Sequence, residues 1–189
     1  MRLYLYEQLI HEAIENQVDF AEYNLSPKIK GLYADDTIWI NKNIDTTIEK
    51  ACVLAEELGH YHTTVGDILN QSNIVNRKQE LNARSWAYRK LIPLNKIITA
   101  HCAAIHNRYE LADYLNVTEH FLDEALIWYR NKYGTSVSVE GYMVSFEPLG
   151  VIEFFDWLDN TSKKFYHDEN TSSIKGGEFK KEFFNKEEQ

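Results

Sequence analysis

Thr46-x-x-Glu49 is a capping box, and it opens a helix that runs to about Thr64. Along such a helix, residues four apart share a face. The stretch LAEELGHYHTT, Leu54 to Thr64, puts Glu56 and His60 on one face. Glu57 lies about 100° round from Glu56. Two converging donors and a neighbouring carboxylate suit a divalent metal and a general base, since one pair can hold the ion while the third group takes a proton. The five residues Glu56 to His60 would read as the zinc-helix signature H-E-x-x-H if Glu56 were histidine. They also fit a solvated Glu-Glu pair beside an incidental histidine.

Other candidate ligands on this helix fit less well. His62 points about 200° away from His60. Cys52 shares the face, but eight residues separate it from His60, about 12 Å along the axis, so it reads as a buried structural cysteine. His101 and His106 are five apart and diverge by about 140° on a continuous helix, which suggests packing or surface roles. A third ligand has to come from another helix. QELNARSWAYRKLIP, ending at Pro93, offers Glu80, which also suits a surface carboxylate in a first helical turn.

Around this helix the pattern is mixed. Leu5, Leu9, Ile10, Ala13 and Ile14 predict an N-terminal helix over residues 4–17. GLYADDTIWINKN predicts a hairpin turning at Asp35-Asp36. Residues 70–76 read as a loop, with Gly66 as the helix stop before it. Helices follow from Lys78 to Leu91 and from Pro93 to about Asn107. YELADYLNVTEHFLDEALIWYRNKYG reads as helix, turn and helix, stopped at Gly134. VEGYMVSFEPLGVIEFFDWL reads as a strand followed by a helix, and the chain from about Thr161 reads as a charged, flexible tail.

The 29 Asp and Glu against 20 Lys and Arg leave a formal charge of -9. That balance opposes binding to nucleic-acid phosphates. The helix-turn-helix-like piece at 109–133 starts its second helix with Glu119, His120, Asp123 and Glu124, so direct DNA binding is not expected. Two cysteines are too few for a disulfide framework. No stretch approaches the roughly 20 apolar residues of a membrane span. The expected setting is the cytoplasm.

Taken in order, TIWINKN, CVLAEELGHYHTT, Glu80-x-x-Ala83-x-x-Trp86-Ala87 and the LIP ending at Pro93 resemble the ImmA/IrrE family of metallopeptidases. That family is common on phages and mobile elements. Its members carry a strand and hairpin, a v(a/l)HElGH helix, and then an E-x-x-A-x-x-F-A helix. The resemblance covers about Tyr4 to Pro93, and LADYLNVTEHFLDEAL resembles the helical segment that follows. By this resemblance Glu57 matches the general base, His60 the second histidine ligand and Glu80 the glutamate ligand. Glu56 stands where the first histidine ligand belongs.

The resemblance implies an α+β fold: a small zincin-like core with a short twisted sheet packed on the active-site helices, then a helical segment. The expected layout is a metallopeptidase-like domain at 1–108, a helical appendage with a strand at 109–160 and the tail at 161–189. A substrate strand would add to the sheet edge near Trp39. The implied activity is a metal-dependent endopeptidase that cleaves a helix-turn-helix repressor or related regulator. The alternative is a peptidase-fold protein that binds such a regulator without cleaving it. Zinc is the expected metal, with manganese or iron also compatible, because two carboxylates and one imidazole make a harder donor set. Without metal, three neighbouring glutamates repel, and at least one should keep its proton.

Overall fold

The computed structural model describes residues 4–63 and 73–154, with backbone alone at 73–76. The expected stop at Gly66, the tail from 161 and part of the 70–76 loop lie outside the described residues. The architecture is mixed α+β, as expected. Helix α1 spans Leu5–Glu15 and buries Leu9 and Ala13. Strands β1 (Asp19–Tyr23), β2 (Gly31–Ala34) and β3 (Thr37–Asn41) follow, then α2 (Thr47–Thr63) and α3 (Asn73–Leu91). Helices α4 (Leu94–Cys102), α5 (Arg108–Leu115) and α6 (Glu119–Tyr133) precede a second sheet of β4 (Ser136–Val139), β5 (Tyr142–Phe146) and β6 (Leu149–Glu153).

The first sheet has the order β1-β3-β2, with β1 parallel and β2 antiparallel to β3. Ile38 and Ile40 alternate inward on β3 and are fully buried, the period-2 pattern of a strand with one core face. Asp35 and Asp36 both have positive φ, 49° and 54°. That is the two-residue hairpin turn whose twist matches the strands. The sequence reading missed β1, a short strand whose middle residues are all half-buried. It also put the sheet edge near Trp39. Trp39 lies in the central strand, paired with Ala21 on one side and Leu32 on the other. The free edge on the β2 side therefore belongs to β2.

The C-terminal half departs further from the reading. The helix after Pro93 ends at Cys102, not near Asn107. Ala104 takes a positive φ of 62°, and the chain reverses there. His101 and His106, which a continuous helix would separate, meet with their Nδ1 atoms 3.3 Å apart. In place of the expected strand and helix after Gly134, three antiparallel strands run to Glu153, and the last residues of that expected helix, 155–158, lie outside the described residues. Glu140 and Gly141, both at positive φ, make the first hairpin. In α3 the helix starts five residues before Lys78, at Asn73.

One hydrophobic cluster runs from Tyr6 through α2, α3 and α6 to Val151. Tyr129 joins its parts. It is buried, its hydroxyl donates to the Ile92 carbonyl at 2.7 Å, and its ring stacks on Phe146. A buried phenol needs such a partner, because an unpaired one loses its water contacts without return. Cys52 is buried in this core, as expected, and its thiol is pushed up to about 11 by burial.

Helices α2 and α3 cross closely at Gly59. A Cβ on Gly59 would lie 2.2 Å from the Ala83 carbonyl oxygen. Ala83 is itself fully buried. Only a residue without a side chain lets the two helices cross this closely. Gly59→Ala should therefore destabilise the protein by about 1–3 kcal/mol, toward the upper end because the atom met is backbone. Urea unfolding measures it; an unchanged midpoint would show that the crossing is looser than this.

Candidate active site

The helix crossing decides which side chains meet. Glu56, Glu57 and His60 follow the buried run Ala51–Ala55 on α2. Glu80 lies three residues before Ala83 on α3, one turn from the contact with Gly59. Across the gap, His60 Nε2 and Glu80 Oε2 stand 3.3 Å apart. The other oxygen of Glu80 accepts from Arg84 Nε at 2.8 Å. Arg84 Nη1 also approaches Glu124 of α6 at 3.8 Å, and Tyr88 donates to Glu124 at 3.2 Å.

Strand β2 roofs the site. A Cβ on Gly31 would come within 2.6 Å of Glu57 Oε1 and of Val53, so the strand backbone rides directly over Glu57. A backbone hydrogen bond from Tyr33 favours the ionised form of Glu57. Between β2 and α3 lies a cleft of about 630 Å³. Leu32 and Tyr33 line one wall, Gln79 and Arg84 the other, and Glu56, Glu57 and His60 are also on its surface.

The electrostatics separate the carboxylates. Burial is the main reason that Glu57 rises from 4.5 to about 7, with Glu56 and Glu80 adding repulsion. Glu56 is also raised, mainly by burial, and Arg84 opposes the shift. The hydrogen bond with His60 pulls Glu80 down to about 2, and the same bond raises His60. The expectation that one glutamate keeps its proton therefore falls on Glu57, with burial rather than repulsion as the larger cause.

The sequence reading named Glu56, Glu57, His60 and Glu80, and all four line this cleft. Among the described residues, no three His, Cys, Asp or Glu side chains are grouped so as to hold a metal ion. Two of the expected ligands do have a ligand pair's spacing. Donors about 2.0–2.1 Å from one ion at a tetrahedral angle lie about 3.3–3.4 Å apart, and the His60–Glu80 distance matches. Glu56 lines the same cleft and shares a helix face with His60. The donor types thus fit a divalent cation. His62 takes another role, stacked on Trp86 at 4.6 Å.

Arg84, Gly31 and Gly59 were missed by the sequence reading. Arg84 had a signal, since it follows Glu80 by four residues, the spacing of a helical ion pair. Gly59 had one too, as a lone glycine inside a helix. Gly31 had none beyond its place at the start of a strand.

The family model for the IrrE N-terminal-like domain, a group of M78 peptidases, matches residues 7–126. The chain belongs to the ImmA/IrrE family. No curated protein and no solved structure matches it. Family membership makes this a metallopeptidase-type protein with metal dependence and a protein substrate as the family's implication. The matched span takes in every element of the cleft, from α1 through the first half of α6. Among the described residues, no helix is long and apolar enough to cross a membrane.

The raised Glu57 makes a testable mark on stability. Its folded pKa lies above its unfolded value, so between about 4.5 and 7 the folded chain holds a proton that the unfolded chain has lost. Stability then falls as pH rises through that window, by up to about 3 kcal/mol in the metal-free chain. Glu57→Gln removes the titration. The variant should be about 1–3 kcal/mol more stable than wild type at pH 8, with the gap closing near pH 4.5. Urea unfolding in chelator at both pH values checks this, and a gap independent of pH would contradict it.

Proposed function

We propose that the protein is a cytoplasmic metallo-endopeptidase of the ImmA/IrrE type, with Glu56, His60 and Glu80 as metal ligands and Glu57 as general base. One observation carries the reading. A half-buried carboxylate raised to about 7 stands beside the His60–Glu80 pair, next to the edge strand β2, in a chain of this peptidase family. A perturbed carboxylate sitting in a cleft marks a candidate functional site.

A divalent cation bound there, with zinc first and manganese or iron also compatible, would polarise the scissile carbonyl and lower the pKa of water. The chain's residues do the rest. Glu57 accepts a proton from the attacking water and delivers it to the leaving nitrogen, a task for a base poised near the working pH. Burial by Val53 and the β2 backbone keeps that carboxylate poised. The substrate segment lies along β2 at Leu32, exposed on the cleft wall. The substrate class is a helix-turn-helix repressor or related regulator of a phage or mobile element, and this rests on the family resemblance.

Binding without cleavage is the competing reading, and the Arg84 guanidinium on Glu80 favours it, since a cation already sits on one proposed ligand. Co-expression with a candidate regulator separates the two. Wild type should cleave it. Glu57→Gln should lose about 10²–10⁴-fold in rate while keeping its metal content and its grip on the regulator. Equal cleavage by both proteins would remove Glu57 as the base. Binding by both with cleavage by neither would establish the binding module.

A further inference from the structure

Glu56 brings a negative charge into a site that already holds Glu57 and Glu80, with Glu124 reaching in from α6. Such a cluster, half-buried, is unstable unless a cation answers it. Arg84 is placed to do so. It holds one oxygen of Glu80 at 2.8 Å, leaving the other to face His60, and it reaches Glu124 at 3.8 Å. Arg84 and Glu56 also act on each other. Both line the same cleft, and each favours the charged form of the other.

A charge count gives this arrangement a purpose. A divalent ion with two imidazoles and one carboxylate carries one net positive charge. Exchanging one imidazole for Glu56 removes that charge, and a guanidinium beside the set returns it. Lysine would supply the charge but not the flat fork that fixes one carboxylate oxygen.

We infer that Arg84 is a positioning residue of this site, orienting Glu80 toward His60 and offsetting the carboxylate that Glu56 adds. The inference rests on reading Glu56, His60 and Glu80 as one set. Its test uses metal-free protein, so the result is independent of whether the enzyme cleaves anything.

The experiment is a double-mutant cycle on the full chain in chelator, read by urea unfolding at pH 7.5, with Arg84→Gln, Glu56→His and the pair. Arg84→Gln should lower the folding constant on the order of threefold to tenfold more in the Glu56 background than in the Glu56→His background. Nitrogen-15 NMR of the His60 ring provides the second readout. Its shifts should move in Arg84→Gln, as Glu80 is released, and return part of the way in Arg84→Lys. If Arg84→Gln proves unfolded, Arg84→Lys, which keeps the charge but not the fork, should still move the His60 shifts, by less than the loss of the charge would. Equal costs in both backgrounds with unmoved His60 shifts would overturn the inference.

Discussion

The approach of α2 to α3 at Gly59 is the contact on which the candidate site depends. Neither helix holds the chemistry alone. Glu56, Glu57 and His60 belong to α2, whereas Glu80 and Arg84 belong to α3. Backbone against backbone at Gly59 and Ala83 sets the spacing that brings Nε2 of His60 to 3.3 Å from Glu80. Side chains as long as Glu and His reach a common point only over a limited range of helix separation, and that separation is normally about 8–10 Å. The cleft and its acid-base balance follow from the same crossing.

The second constraint is the roof. Strand β2 passes so close to Glu57 that a Cβ on Gly31 would not fit. The strand covers part of that carboxylate, whereas its neighbour Glu80 is half-exposed beside a guanidinium. Two carboxylates of one cleft are thereby pushed apart, one to about 7 and the other to about 2. Such splitting by environment gives similar groups different chemical tasks. In the proposed mechanism the proton carrier is the group under β2 and the ligand is the ion-paired one.

Much of this was legible in the sequence, because the signals were local. The capping residue Thr46 accepts from the Glu49 amide at 3.1 Å, as the motif predicts. Glu49 also forms an ion pair with Lys30 at 2.7 Å. Pro93 and Gly134 end helices where they should. What failed was long-range. Strand β1 exists because β3 lies beside it, and nothing in its five residues announces that pairing. The stretch after Gly134 was read in part by helical spacing, yet Val144 and Val151 face each other across antiparallel strands. The pairing of His101 with His106 depends on a left-handed Ala104, a conformation that alanine gives no reason to expect. Within the site, the residues that meet in the cleft followed from motif order, whereas the contacts of Arg84 appeared only when its neighbours on α3 and α6 were in place.

The account stands or falls on one donor set. Anomalous X-ray diffraction from crystals of the full chain, purified without chelator and soaked in turn with zinc and manganese, tests it directly. The account predicts one strong anomalous peak per chain, ligated by Glu56, His60 and Glu80, with Glu57 off the ion. A cleft without a peak in both soaks, with Glu56 turned away from His60, would contradict it.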